Sequence, residues 1–175
     1  MYPDWSKAVS GEMTSIRLFE TIGYPGDCSK VQNEFLEMVE INESFYEFAK
    51  AIKKEHKLAL ITDDVSEWSQ YLRKKYGLNE YFDVITVSGD VKIRKPDLRI
   101  FQLTLDRLGY SPEECVYIDD RRHYLAGAEE VGIHTVLFNT RKVPYQGHTV
   151  NSFEELLVLI TTIEEEERKF IWKSL

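Results

Sequence analysis

Three groups of polar residues in this sequence could do chemistry together. They are Thr62, Asp63 and Asp64 after one apolar run, Lys95 just before a helical stretch, and Asp119 and Asp120 after another apolar run. A hydroxyl and an ammonium hold phosphoryl oxygens, and carboxylates are hard oxygen ligands that suit Mg²⁺. The combination indicates a site for a phosphate together with a divalent cation.

Each of these residues alone also has an ordinary structural interpretation. Thr62 could end a strand or cap a helix, and Asp63 with Asp64 could form the turn after a strand. Lys95 could be a solvated loop lysine. The adjacent pair Asp119 and Asp120 is harder to explain structurally, because neighbouring like charges after a buried strand cost stability unless a cation or a donor offsets them.

Alternating apolar runs and amphipathic stretches must position these residues. The pattern predicts strands at about 58–62, 84–87, 115–118 and 134–138, and helices over 65–76, 97–108, 121–131 and 153–163. Strands buried on both faces and separated by single helices predict a parallel, doubly wound α/β sheet. Ligands of such sheets bind beyond the carboxyl ends of the strands, which is where the polar groups stand.

The first 50 residues differ from the rest of the chain. They contain no convincing strand, and from Val31 to Ile52 apolar residues recur every three or four positions, as in amphipathic helices. No repeat or Gly/Ser-rich linker divides the sequence. We therefore predict a helical cap segment over residues 1–50 and an α/β core over 51–175.

The composition excludes several classes of protein. With 43% hydrophobic and 30% charged residues, the 175-residue chain is of the ordered, globular type. A net charge of −8 argues against a nucleic-acid partner, and no apolar run approaches the ~20 residues that cross a bilayer. Cys28 and Cys115 are far apart in sequence, which argues against a disulfide framework or a zinc site and favours the cytoplasm.

Taken in order, the motifs resemble the haloacid dehalogenase-like (HAD) hydrolase superfamily. They are Leu58-Ala-Leu-Ile-Thr62, Arg94-Lys-Pro-Asp97, Val116-Tyr-Ile-Asp-Asp-Arg121 and Gly132-Ile-His-Thr-Val-Leu-Phe138. The resemblance covers about residues 40 to 160 and extends to a small helical cap typical of phosphatase-type members. It implies a HAD-like, Rossmann-like α/β fold.

The resemblance also implies a role for each candidate residue. Thr62 would bind phosphoryl oxygens, with Asp63 beside it where relatives commonly have Asn. Lys95 would be the catalytic lysine that neutralises the phosphate and positions the nucleophile. Asp119 and Asp120 would be the metal ligands for Mg²⁺, with Asp120 the direct one and Asp119 binding directly or through water.

One part of the family pattern is absent from these residues. The family's nucleophile is the first Asp of an Asp-x-Asp motif at the end of a strand, and no two aspartates stand two positions apart in this sequence. In the family that strand lies centrally, between the strands carrying Thr62 and Asp119. We therefore expect the central strand to be missing, with two unpaired inner edges, and we favour the explanation that Met1 is not the natural start.

The expected function is that of a Mg²⁺-dependent phosphatase of a small phosphorylated metabolite, inactive in the form given because the nucleophilic carboxylate is absent. A second hypothesis is a non-catalytic relative that binds phosphate, metal or a protein partner. A third, an unrelated flavodoxin-like or receiver-like domain, explains the alternation but not Lys95-Pro96 followed by Asp119-Asp120. The sequence gives no indication of the oligomeric state or of the particular substrate.

Overall fold

The computed structural model describes the backbone of residues 3–173 and the side chains of residues 4–163. Within that part of the chain, helices precede residue 59, and strands and helices alternate after it. The predicted α/β class is confirmed.

The N-terminal stretch is helical, as the apolar spacing predicted. Its helices are α1 (Pro3–Val9), α2 (Ser15–Thr21), α3 (Cys28–Met38) and α4 (Ser44–Ile52). Thr14 and Asp27 cap α2 and α3, because their side-chain oxygens accept hydrogen bonds from backbone N–H groups of the first turn. Helix α4 packs against the last helix, α9 (Phe153–Lys173), and so contacts the α/β part. The division between residues 1–50 and 51–175 stays a prediction.

The strands form two parallel groups. In the first, β1 (Ala59–Thr62) pairs with β2 (Val84–Val87), with Thr62 opposite Val87. In the second, β4 (His134–Phe138) lies between β3 (Val116–Asp119) and β5 (His148–Val150). The four predicted strands are found within one residue of their expected ends and are parallel where they pair, whereas β5 was not predicted.

The helices between the strands complete the α/β alternation. They are α5 (Ser66–Lys75), the single turn α6 (Ser88–Val91), α7 (Leu98–Leu108) and α8 (Arg122–Val131), with 3₁₀ turns at 78–80 and 112–114. Gly109 and Gly132 end α7 and α8 with φ of 74° and 97°, the left-handed conformation that only glycine adopts easily. After Gly132 the strand β4 begins two residues on, whereas after Gly109 a 3₁₀ turn precedes β3.

The edges of β1 and β3 that face away from their partners define a seam between the two groups of strands. Among the described residues, no strand pairing joins β1 to β3. All of β1 is half-buried and Val116 of β3 is 40% exposed, whereas Val136 and Leu137 of β4 are 1% and 0% exposed. Burial on both faces was therefore correct for β4 and wrong for β1 and β3, because each of these two strands is paired on one side only.

Three apolar clusters stabilise the described structure. The first holds the N-terminal helices to α5, the second joins α4 and α9 to β4 and β5, and the third lies between α7 and α8. Their buried members are Ala8, Val9, Leu18, Leu36, Val65 and Trp68; Phe48, Ile52, Val136, Val150 and Leu156; and Ile100, Phe101, Leu105, Ala128 and Ile133. The first cluster joins helices to one another, whereas the second and third also include side chains of the strands.

None of the helices in the described range combines the length and apolar character that a membrane span requires.

Candidate functional site

The candidate site lies at the carboxyl ends of β1 and β3. Thr62 is the last residue of β1 and Asp119 the last of β3, and Lys95 lies in the loop that leads into α7. The Lys95 ammonium reaches both strands, because Nζ is 3.3 Å from the carbonyl oxygen of Ile61 and 2.8 Å from Oδ2 of Asp119. The structure thus brings the predicted lysine and one predicted carboxylate together across the seam.

Lys95 and Asp119 form a buried ion pair. Their side chains are 8% and 10% exposed. Burial alone would raise the pKa of Asp119, but the Lys95 charge and hydrogen bonds from Lys95, Tyr117 and the Arg121 backbone hold that pKa below its usual value. Asp119 is therefore ionised at neutral pH, and both of its oxygens already accept hydrogen bonds from the protein.

Two tyrosines enclose the Lys95 ammonium. The hydroxyl of Tyr117 donates to Asp119 Oδ2 at 2.5 Å, and the rings of Tyr117 and Tyr124 lie 5.7 and 4.6 Å from Lys95 Nζ. Burial, followed by the nearby carboxylates, raises the pKa of both tyrosines, so both stay protonated donors. A cation between aromatic faces is stabilised by the ring quadrupoles. Sequence reasoning missed Tyr117, although its position two residues before Asp119 puts it on the same face of β3.

Asp63 holds the Lys95 loop in place. Its Oδ1 accepts the backbone N–H of Lys95 at 3.0 Å, and its Oδ2 accepts the hydroxyl of Tyr124 at 3.1 Å. The guanidinium of Arg94 is 4.0 Å from the same Oδ2. Asp63 therefore lies in the site as predicted, but its oxygens are turned to protein donors. Tyr124, which stands where many relatives of this type carry Asn, supplies one of these donors.

Thr62 and Asp64, the neighbours of Asp63 in sequence, differ in the hydrogen-bond partners of their side chains. The Thr62 hydroxyl has no protein partner among the described residues, which leaves it available to a ligand. Asp64 has no described contact with Lys95: its carboxylate accepts the N–H of Val65 at 2.8 Å, and its backbone N–H and carbonyl bond to the Ser88 hydroxyl. Burial raises the pKa of Asp64 to about 6.

Asp120 is paired with two arginines at the outer rim of the site. Arg141 Nε is 3.0 Å from Oδ2 and Arg121 Nε is 3.9 Å from Oδ1, and the Asp120 side chain is 37% exposed. Arg141 was not predicted, since it comes from the loop after β4, 21 residues further along the chain. The predicted carboxylate pair is thus neutralised from inside the protein, Asp119 by Lys95 and Asp120 by the arginines.

The donor chemistry fits a divalent cation only in part. Asp120 is accessible and held by exposed guanidinium groups that can move away, so it suits a direct ligand. Asp119 is committed to three protein donors, so it suits a ligand that acts through water. Within the described part of the chain, no cluster of three or more His, Cys, Asp or Glu residues could hold a metal. Mg²⁺ at this site would keep most of its waters.

Comparison with known proteins identifies the family. The family model described as haloacid dehalogenase-like hydrolase matches residues 17–138. The chain belongs to this family. The match includes the strands that carry Thr62 and Asp119, and it includes Lys95, so the HAD assignment rests on the same segments that build the site.

Two curated relatives of this HAD chain are phosphatases by name. Pyrophosphatase PpaX of Halalkalibacterium halodurans is 32% identical over 101 residues, 57% of this chain and 47% of the relative. Glyceraldehyde 3-phosphate phosphatase of Methanocaldococcus jannaschii is 30% identical over 119 residues, 63% of this chain and 51% of the relative. The chain spans about half the length of the curated relatives it matches.

Solved structures agree with the HAD fold. A HAD phosphatase from Thermococcus onnurineus superposes with a TM-score of 0.73 at 21% identity, covering 89% of this chain and 77% of that one. A HAD family enzyme from Bacteroides thetaiotaomicron, in complex with magnesium and inorganic phosphate, gives a TM-score of 0.69 at 18% identity, covering 78% and 75%. At these identities the likeness concerns the fold alone.

Proposed function

We propose that the site at the seam is the phosphoryl-binding part of a Mg²⁺-dependent phosphatase that acts on a small phosphorylated metabolite. The observation that carries this proposal is the buried Lys95 ammonium, which contacts the Ile61 carbonyl oxygen in β1, one residue before Thr62, and the Asp119 carboxylate in β3. An ammonium and a hydroxyl at adjacent strand ends can hold the oxygens of one phosphoryl group, and low exposure strengthens their attraction to its charge. The two phosphatase relatives support the same reaction class.

The residues divide the work of binding as follows. Lys95 neutralises phosphoryl charge, Thr62 donates to a phosphoryl oxygen, and Asp63 with Tyr124 fixes the loop from which Lys95 projects. Mg²⁺, held by Asp120 directly and by Asp119 through water, would neutralise further phosphoryl charge.

We further propose that these 175 residues do not turn substrate over by themselves. The sequence has no Asp-x-Asp motif, and the carboxylates nearest Lys95 are already engaged by protein donors. The Asp64 carboxylate accepts the N–H of Val65, just before α5, and has no described contact with Lys95, so nothing described positions it for in-line attack. Electrostatic stabilisation without a positioned nucleophile leaves attack to unassisted water.

The test is hydrolysis of p-nitrophenyl phosphate with and without Mg²⁺. We expect no turnover above background from the chain as given. Joining a segment with an apolar strand that ends in Asp-x-Asp should produce Mg²⁺-dependent turnover, and changing its first Asp to Asn should abolish it. Turnover by the present chain that is lost in Asp63→Asn or Asp64→Asn would show that the nucleophile is misplaced.

A second candidate is a non-catalytic member of the family that binds phosphate, metal or a protein partner. The observation that favours it is the internal neutralisation of Asp119 and Asp120 by Lys95 and arginines, which balances the charge of the site without a metal. Joining the Asp-x-Asp segment discriminates between the phosphatase and the non-catalytic protein. If the joined protein binds phosphate through Lys95 but shows no turnover, the non-catalytic function is favoured.

A further inference from the structure

The rim of the site carries a group of cations that phosphoryl binding at Lys95 does not use. Arg121 and Arg141 lie on either side of Asp120, with side chains 43% and 56% exposed. Lys142 follows Arg141 and is also exposed. In a chain of net charge −8, a local excess of positive charge requires an explanation.

The rim is connected to Lys95 through a single aromatic ring. Lys95 Nζ lies 4.6 Å and Arg121 Cζ 5.5 Å from the centroid of the Tyr124 ring, and Arg121 Nη1 is 3.4 Å from the Tyr124 hydroxyl. The ammonium that would hold a phosphoryl group and the first rim guanidinium therefore both lie within 5.5 Å of the centroid of one ring. One small metabolite with two anionic groups can reach both cations.

Asp120 uses only a small part of the hydrogen-bonding capacity of the two arginines. Arg141 donates to Asp120 through Nε, and its Nη atoms have no described hydrogen-bond partner; one carboxylate charge is shared by two guanidinium charges. A guanidinium has five N–H donors in a planar fork that suits carboxylate and phosphate oxygens. The rim thus keeps a net positive charge and unused donors.

The Arg141 loop is held in shape before any ligand arrives. The Asn139 side chain accepts the N–H of Val143 at 2.9 Å and donates to its carbonyl at 3.0 Å, and Arg122 donates to the carbonyl of Pro144 at 3.1 Å. A loop fixed in this way loses less conformational entropy when its arginine binds an anion.

We propose that Arg141 and Arg121 form a second anion-binding subsite, and that the substrate carries a carboxylate or a second phosphate in addition to the phosphoryl group at Lys95. This inference rests on the proposed function, because it takes Lys95 as the first subsite. Arg141 and Arg121 then determine specificity by binding the non-reacting end of the metabolite.

The test is calorimetric titration of the chain, in metal-free buffer at fixed ionic strength, with three probes: inorganic phosphate, pyrophosphate and phosphoglycolate. We expect at least one of the doubly anionic probes to bind about tenfold more tightly than phosphate, and Arg141→Gln to remove that advantage while leaving phosphate affinity within about twofold. If only pyrophosphate binds more tightly than phosphate, the second group of the substrate is a phosphate. If only phosphoglycolate does, the second group is a carboxylate.

Lys142→Gln is the matched control, since it removes the same charge one residue away on an exposed side chain with no described contact to Asp120. Three results would overturn the second subsite. The first is an equal loss of affinity in Lys142→Gln and Arg141→Gln, and the second is an equal effect of Arg141→Gln on phosphate and on the doubly anionic probes. The third is that the unaltered chain binds the doubly anionic probes no more tightly than phosphate. Lys95→Gln tests the first subsite: if it leaves the affinity for all three probes unchanged, the proposed function fails instead.

Discussion

At the scale of single residues, the Lys95–Asp119 pair decides how the site behaves. Both side chains are almost fully buried, and removal of one member leaves the other charge without its partner. We expect Lys95→Met to lower the free energy of unfolding by about 3–5 kcal/mol in urea titrations at pH 7. Lys95→Met/Asp119→Asn should recover a large part of that loss. If the single change costs less than about 1 kcal/mol, the pair is not buried as described.

The same pair makes stability depend on pH in a defined direction. The pKa of Asp119 is lowered in the folded state, so its contribution is fully present above the unfolded pKa of about 4 and is lost as pH falls through the folded value. The difference in unfolding free energy between the unaltered chain and the Lys95→Met/Asp119→Asn variant should therefore shift in favour of the variant below about pH 4.

Asp64 has the opposite dependence on pH. Burial raises its folded pKa to about 6 from an ordinary value of 3.8, so the folded state holds the proton more tightly and stability falls as pH rises between those values. Asp64→Asn keeps an acceptor for the Val65 N–H but cannot ionise. We expect the variant to be more stable by about 1–3 kcal/mol at pH 8, with the difference vanishing near pH 3. Asp63→Asn, measured in parallel, should instead be destabilising at pH 8.

The sequence predicted which polar residues lie at the strand ends better than it predicted the residues that form hydrogen bonds and ion pairs with them. Thr62 and Asp119 were found from their positions at the ends of apolar runs, and Lys95 from its position before a helix; the structure places Lys95 against Ile61, the neighbour of Thr62, and against Asp119. Tyr117 escaped notice because an aromatic residue in a strand is usually interpreted as core. Arg141 escaped because its pairing with Asp120 depends on how the loop after β4 folds, which sequence spacing does not determine.

At the scale of elements, the junction between the N-terminal helices and α6 depends on one glycine. Gly11 has φ of +68°, and a Cβ at that position would overlap the carbonyl oxygen of Gly89. The junction is also held by the Ser88 hydroxyl, which donates to the carbonyl of Val9 at 2.6 Å. This close approach fixes α1 over the start of α6.

We therefore expect Gly11→Ala to destabilise the protein by more than about 2 kcal/mol, because it combines left-handed strain with a backbone clash. Gly23→Ala is the matched control: its φ is +74°, but nothing lies within 4 Å of the added Cβ, so only about 1 kcal/mol should be lost. Thermal or urea unfolding measures both. Equal losses would mean that the contact with Gly89 carries no energy.

Element prediction failed where the local pattern was too short to carry information. The strand β5 has only three residues, two of them exposed, and α6 is a single turn. Neither has a period that can be recognised in sequence. Their conformations depend on tertiary neighbours, Val136 to Phe138 for β5 and β2 with α1 for α6. The longer strands and helices have enough apolar positions to define their own period.

At the scale of the whole molecule, the seam lies between two strands that are each paired on one side only. β4 is paired on both sides, β1 and β3 on one. We expect backbone amides of β1 and β3 that face the seam to exchange with deuterium at least about a hundredfold faster than those of β4, in residue-resolved NMR measurements. Protection in β1 and β3 equal to that in β4 would show that the seam is closed in solution.

The fold class could be predicted because the apolar runs show the alternation of strands and helices. The family motifs then indicated where the site lies. The arrangement of the strands in two groups could not be read from these runs. A sequence shows which segments form strands, but pairing is decided by which edges meet, and that depends on contacts between distant segments.

Lys95 in the seam has a consequence for the colloidal behaviour of the molecule. Open strand edges invite strand addition from other molecules, and natural sheets often resist this by placing a lysine charge at the edge. The Lys95 ammonium already donates to the carbonyl oxygen of Ile61, which an incoming strand would otherwise use as an acceptor. The residue proposed to bind phosphate would then also disfavour strand addition at the edge of β1.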